Sequence, residues 1–302
     1  MAENWEAWSA RNKEFAPIIG LHKHSLFYPT RIEAFFKEQI ELRVHVKTLP
    51  DKGPIYGSIR EFSECTIFEK IQWMLNPHIN KKMSYLDRFG GKIDVKRSQK
   101  LQKSEPYQVY VRGFRNKETN EAYITYWFFY LENFVPKTTN DDKIIELLKE
   151  KPNKWWTHEG DWEAISVHFL DFQASTPTEV IFSHHNEPKK RLWENVPLKD
   201  DRILVSPAIG SHANFFEPIR KKRFPGLSYC EVASPDKLIF PKIRNSSKTR
   251  TYQLEALDPQ RKHLWLHFKG RWGQSSGEVG LAPTGPLMKK GIHFKLRADI
   301  RS

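Results

Sequence analysis

The stretch Asp161-Trp-Glu-Ala-Ile-Ser-Val-His-Phe169 constrains this chain more than any other. In extended backbone successive side chains point to opposite faces, so Asp161, Glu163, Ile165, Val167 and Phe169 form one row, and Trp162, Ala164, Ser166 and His168 form the other. The first row is an apolar core face headed by two carboxylates. Their Cα atoms stand about 6.5 to 7 Å apart in a strand, near enough for both side chains to converge on one cation. Two like charges at the end of a core row repel unless a cation, a proton or a basic side chain lies between them. His158 precedes the pair, and Gly160 frees the backbone between them. The pattern predicts a strand over Asp161 to Phe172, with a metal centre of His158, Asp161 and Glu163 at its head. The plain alternative is an acid pair that binds an arginine or caps a turn.

The same period-two reading predicts further strands over residues 18–21, 40–46, 107–114, 122–130, 179–184, 203–208, 251–254 and 264–268, with a hairpin turn over 116–120. A short amphipathic helix is expected over residues 3 to 15, and an N-capped helical turn or an extended connector after Pro29-Thr30. A further helix is expected over 141–151, its acids first and its lysines last as the helix dipole prefers. Residues 81–105 turn basic and polar around Gly90-Gly91 and read as a surface excursion. The expected fold is mainly β, a two-sheet antiparallel β-sandwich with peripheral helices. It would comprise an N-terminal helix (1–14), one domain (15–290) with insertions at about 81–105 and 141–151, and a C-terminal tail (291–302).

Composition supports a packed core, because 39% of residues are hydrophobic and 13% aromatic. The net charge of +13 favours phosphate-bearing partners, either anionic lipid or nucleic acid, although the basic runs fall mostly where apolar periodicity is missing and read as solvated loops. Cys65 and Cys230 alone make no disulfide framework and no cysteine zinc site, and are expected to be reduced. The N-terminus lacks the pattern of a secretory signal and no apolar run approaches the roughly 20 residues that cross a bilayer, so the expected location is cytoplasmic, with signal-independent export left open.

Two more strand ends carry histidine: His184-His185 after residues 180–183, and His212 in Gly210-Ser-His-Ala213. Each alone reads as structural, its ring satisfied by a backbone carbonyl, whereas three such sites at similar strand ends weigh toward a functional centre. Tyr126-Trp-Phe-Phe-Tyr130, His158-x-Gly-Asp-Trp-Glu163, Phe182-Ser-x-His185, Gly210-Ser-His-Ala213, Gly270-Arg-Trp-Gly273 and Pro283-x-Gly-Pro286, in this order, resemble the vacuolar-protein-sorting-associated protein 62 domain family. Phe15 to His22 and Tyr28 to Glu33 extend the likeness, which covers roughly residues 15 to 287. More distantly, His158-x-x-Asp161-x-Glu163 is similar to the His-Asp-Glu core of the necrosis- and ethylene-inducing (NPP1-like) cytolysins. Gly160 stands where those proteins have a second histidine, and their paired cysteines are missing.

The cytolysin resemblance implies a β-sandwich in which the matching residues surround a divalent cation beside a glycosylated-lipid site at a membrane surface. It nominates Glu132 or Asn133 as a further ligand and His185 through the segment Ser183-x-His185. Oxygen donors from Asp161, Glu163 and Glu132 suit Mg²⁺, Mn²⁺ or Ca²⁺ better than Zn²⁺. Three readings follow: a metal-dependent binder of a polar lipid or glycan head group, membrane-associated and toxin- or effector-like; a metal-dependent hydrolase with Glu163, His185 or His212 as acid or base; or a basic structural or nucleic-acid-associated protein. Gly210 would permit the turn that aims His212. Arg271, in the Gly270–Gly273 turn, would come near the acids for charge balance or ligand contact, and Trp162 divides between core packing and ligand contact.

Overall fold

The computed structural model describes residues 5–36, 41–44, 84–87, 95–135, 156–184, 188–222, 230–242, 249–258, 263–267, 271–273, 275–276 and 285–286. The chain opens with helix α1 (Trp5–Glu14), strand β1 (Ile18–Leu21), the helical turn α2 (Glu33–Phe36), strands β2 (Glu41–Val44) and β3 (Ser84–Asp87), and helix α3 (Val95–Lys103). A meander follows: β4 (Gln108–Arg115), β5 (Ala122–Val135), β6 (Trp156–Phe169), β7 (Glu179–Phe182) and β8 (Lys189–Leu192). Next come β9 (Leu198–Lys199), β10 (Arg202–Pro207), β11 (Asn214–Phe215), β12 (Ile219–Lys222) and β13 (Cys230–Ala233). The last strands are β14 (Lys237–Pro241), β15 (Thr251–Ala256) and β16 (Ser275–Ser276).

The meander forms because β5 is rich in aromatic and β-branched residues and is buried on both faces from Tyr126 to Leu131, which only a central strand satisfies. It pairs antiparallel with β4, Tyr110 opposite Trp127, and with β6 from Ala122 opposite Phe169 to Val135 opposite Trp156. Between β4 and β5 the predicted turn closes, Asn116 donating its backbone N–H to Glu121, and Asn120 takes φ 60°.

The protein is mainly β, and its described strands gather into one large mixed sheet and two small pairs, where a pair of packed antiparallel sheets is the sequence expectation. Twelve of the described strands belong to one mixed sheet in the order β11-β10-β1-β14-β15-β4-β5-β6-β7-β8, with β9 beside β10 and β16 beside β6. β1 runs parallel to β10, and β15 runs parallel to both β14 and β4. A sandwich follows from treating sequence neighbours as sheet neighbours, whereas here β1 lies between strands from the far end of the chain. Twist accumulates across so many strands and curls the sheet on itself. Its two ends meet where Asn214 of β11 donates its backbone N–H to the carbonyl of Ser183, just past β7, at 3.3 Å, and its side chain to the carbonyl of Ala164 in β6 at 3.2 Å. This line of contact is a seam.

Inside the curl lies the predicted row, with Ile165, Val167 and Phe169 buried beside Tyr126 and Phe182. Tyr126 and Tyr252 send their hydroxyls to the carbonyls of Asn12 (2.9 Å) and Pro17 (2.7 Å), so these buried donors are paired and also fasten the N-terminal segment. The other row packs elsewhere. Trp162 stacks on Trp265 at 5.3 Å and meets Phe129, Tyr110 and Trp272. Helix α1 docks Trp8 directly over Gly113, where an added Cβ would lie 2.1 Å from the indole.

Three local expectations change. Residues 81–105 are not wholly a surface excursion: they contain β3 and α3, and Ser98, Gln102 and Glu105 are buried, because the helix turns its small and amide side chains inward and its lysines outward. Residues 264–267 form a 3₁₀ turn instead of a strand, since Trp265 and Leu266 both enter the core within one turn. β6 begins at Trp156, five residues before Asp161, because Gly160 takes φ 58° without breaking the ladder. The expected helix over 141–151, the tail over 291–302 and Cys65 lie outside the described residues.

Candidate functional site

At the seam the core row of β6 ends in its acids. Asp161 lies opposite Tyr130 and Glu163 opposite Phe128, and both carboxylates are buried. The loop from β10 to β11 brings His212 onto them. Gly210 at φ 78° turns the chain and His212 itself adopts φ 54°, a region that a residue with a Cβ enters at a cost of about 1 kcal/mol. Its position is held from two directions. The ring stacks flat on Tyr130, centroids 3.8 Å apart and planes 1° apart, and Nδ1 lies 3.0 Å from Oδ2 of Asp161. With the carboxylate accepting, Nδ1 carries the proton.

Asn133 completes the arrangement, donating from Nδ2 both to Oδ2 of Asp161 at 3.1 Å and to the carbonyl of Ser211 at 3.0 Å, which ties the histidine loop to β5. Glu163 accepts a short hydrogen bond from the Ser183 hydroxyl. That hydroxyl in turn accepts the backbone N–H of Ala164 at 2.8 Å and a proton of the Asn214 amide at 3.3 Å. The hydroxyl of Tyr130 is buried and has no hydrogen-bond partner among the described residues. Burial pushes its pKa well above the ordinary tyrosine value, and the charges of Asp161 and Glu163 push it further.

The remaining expected site residues fall as follows. Glu132 is fully buried and accepts a short hydrogen bond from Ser98 of α3. His158 is half-buried in β6, between Asn133 on one side and Ser275 of β16 on the other, with Nδ1 3.3 Å from the carbonyl of Glu159. Trp162 belongs to the aromatic cluster behind the sheet. Arg271 is half-buried, and loss of solvent lowers its pKa. Its neighbour Trp272 sets a carbonyl against Gly160, where an added Cβ would meet that oxygen at 2.1 Å, so the glycine admits the close approach. His185 lies outside the described residues.

A divalent ion needs converging donors with lone pairs to give, and among the described residues no three His, Cys, Asp or Glu side chains converge in that way. Oδ2 of Asp161 already accepts from two donors, and Oε2 of Glu163 from one. A centre of three such side chains is therefore not formed by the described residues alone.

Sequence reasoning missed Tyr130 as a site residue, together with Ser183 and Asn214. A usable signal existed: once β5 and β6 are paired, the strand register sets Tyr130 against Asp161. Ser183 and Asn214 carry no such signal, because their meeting depends on closure of the sheet.

No family model matches the chain, and no curated protein matches it. Among solved structures it has a distant likeness to necrosis- and ethylene-inducing proteins. The non-toxic HaNLP3 protein is 15% identical with a TM-score of 0.34, over 64% of this chain and 67% of that one. NLPPya in complex with glucosamine is 15% identical with a TM-score of 0.25, over 43% of this chain and 48% of that one. Necrosis and Ethylene inducing Protein 2 from the causal agent of cocoa's Witches Broom disease is 13% identical with a TM-score of 0.27, over 56% of each chain. The chain spans about half the length of NLPPya. At such TM-scores none of these likenesses fixes a fold or a function for this chain.

Proposed function

We propose that this protein binds a polar head group, of a glycan or a glycosylated lipid, at the seam beside Asp161 and Glu163. The observation that carries the reading is the buried Tyr130 hydroxyl, unpaired among the described residues, beside two carboxylates. Leaving such a group unsatisfied costs about 1–3 kcal/mol, an expense that a core tyrosine replaceable by phenylalanine need not incur. A sugar hydroxyl answers both neighbours at once, since it accepts from Tyr130 and donates to a carboxylate. The strained His212 beside these groups is already fixed by a stack and a hydrogen bond, which limits what ordering it would cost a ligand. The net charge of +13 would draw the protein to an anionic surface.

Two finer parts belong to this proposal. Metal dependence would require Asp161 and Glu163 to act with His185. Membership of the vacuolar-protein-sorting-associated protein 62 domain family rests on the ordered sequence blocks. Binding of the purified protein to a glycan array and to glycolipid vesicles, repeated with EDTA and with Tyr130→Phe and Asp161→Asn, tests the reading. Binding lost in both variants supports the site, and additional loss in EDTA supports the ion. Binding that survives both substitutions places the ligand elsewhere and overturns the site.

A further inference from the structure

The seam closes incompletely. Below the Asn214–Ser183 contact, the sheet edge β8 stands apart from the segment running from β11 into β12, leaving a cleft of about 500 Å³. None of its lining residues is Asp161, Glu163 or His212, so the inference does not rest on the reading above.

The cleft has a polarity. At its floor are Asn214, 1% exposed, and Glu231, 4% exposed, whose Oε1 lies 3.4 Å from the Ser211 hydroxyl. The Asn214 amide spends its donor side on Ala164 and Ser183, while its Oδ1 is buried with no hydrogen-bond partner among the described residues. The floor therefore offers acceptors. One wall is aromatic: Phe215 lines it beside Phe216, which is fixed by stacking on Phe182 at 3.8 Å and 11°. The rim is cationic, with Lys189, Lys190 and Arg191 consecutive on the edge strand.

At this rim Lys190 pairs with Glu179 at 3.3 Å and Arg191 with Glu217 at 2.8 Å. Each pair has one exposed member, Lys190 at 59% beside Glu179 at 19% and Glu217 at 67% beside Arg191 at 30%, and pairs at a surface contribute about 0–1 kcal/mol. A phosphate, with several oxygens and up to two charges, displaces such a partner readily. Lysines on an edge strand also guard against strand-to-strand aggregation, and that role alone would explain the rim. It does not explain an amide oxygen without a partner among the described residues at the bottom of a cleft with an aromatic wall.

We infer that the seam cleft binds a small hydroxylated anion of the sugar phosphate class, hydroxyls inward on Asn214 and Glu231, the ring face on Phe215, and the phosphate outward on Lys189, Lys190 and Arg191. The ligand could reach the cleft free or as the head group of a lipid, and the two sources share this chemistry.

Isothermal titration of the full chain with glucose 6-phosphate, glucose, inorganic phosphate and phosphoethanolamine tests it. The sugar phosphate should bind about 10-fold or more tightly than any of the other three, each of which lacks one end of the pattern. A Lys190→Ser, Arg191→Ser variant, altered on an exposed edge and checked for an unchanged circular dichroism spectrum, should lose about 10-fold in affinity or more. Vesicles of phosphatidylcholine with and without phosphatidylinositol identify the source: capture by the inositol lipid assigns the lipid form, and its absence beside sugar phosphate binding assigns the free form. Equal affinity for inorganic phosphate and the sugar phosphate reduces the cleft to a charged edge and overturns the inference. Preference for phosphoethanolamine, unchanged affinity in the rim variant, or no saturable binding at about millimolar concentration overturns it as well.

Discussion

The ring of His212 lies flat against that of Tyr130, 3.8 Å away and 1° from parallel, although His212 occupies a left-handed backbone conformation at φ 54°. The stack and the 3.0 Å contact with Asp161 together outweigh the backbone strain. His212→Ala removes both and keeps the strain, so a loss of about 2–3 kcal/mol is expected. His212→Gly removes both and relieves the strain, so its loss should be smaller by about 1 kcal/mol. Urea denaturation of the two variants checks the difference, and an alanine variant as stable as the glycine variant would contradict it.

Gly160 is the second backbone constraint. Any side chain there must accept φ 58° and displace the carbonyl of Trp272, which an added Cβ would meet at 2.1 Å. Gly160→Ala is expected to destabilise by about 3 kcal/mol or more and to shift the environment of Trp272. Denaturation followed by tryptophan fluorescence reads both effects.

Removing the Tyr130 hydroxyl separates stability from binding. Tyr130→Phe keeps the stack on His212 and deletes a buried group with no partner among the described residues, so the ligand-free protein should be unchanged or more stable by up to about 1 kcal/mol. Affinity for the polar head group should fall about 10-fold. A large loss of stability on calorimetry would mean that the hydroxyl is structural.

Alkaline pH should unfold the protein through its tyrosines. Tyr28 is raised to about 12 by burial, then by Tyr107 and Glu105, and Tyr123 to about 12 by burial, then by Glu121 and Glu179. Buried Tyr110, Tyr126, Tyr130 and Tyr252 are also raised well above 10.0, each chiefly by loss of solvent. A folded pKa above the unfolded value of 10.0 means that the fold holds the proton more tightly. The stabilisation is complete below pH 10.0 and is lost as pH rises toward 12 and beyond. The melting temperature should therefore fall steeply above pH 10, with tyrosinate absorbance appearing together with unfolding. A constant melting temperature through that interval would contradict this assignment.

Alternation of side chains made the core row of β6 legible, because Ile165, Val167 and Phe169 have only one sensible destination. The hairpin of β4 and β5 was legible for the same reason, with Asn120 available for the turn. What period two cannot carry is pairing between distant segments. Nothing in residues 18–21 announces that β1 will sit between β10 and β14, and an all-antiparallel arrangement does not foresee its parallel pairing with β10. The site divides along the same line. Gly210 was read as the residue that turns the chain to aim His212, and it does turn it at φ 78°, but Ser183 and Asn214 become partners only when the sheet curls. Polar residues such as Ser98 and Gln102 were read as surface because helix α3 buries its polar side, which hydropathy alone assigns to solvent.

The placement of β1 also bears on how the protein is made. During synthesis the meander from β4 to β8 can assemble as each hairpin emerges, since its contacts are between neighbours in the chain. β1 leaves the ribosome first, yet the strands that flank it, β10 and β14, are translated long after it, and β4 likewise waits for β15 on its outer side. For much of translation the nascent chain therefore carries two apolar strands with open edges, the condition in which chains aggregate or engage chaperones. Slowing elongation after β8 would prolong that exposure, and the yield of soluble protein should depend on how quickly the ribosome delivers β10 to β15.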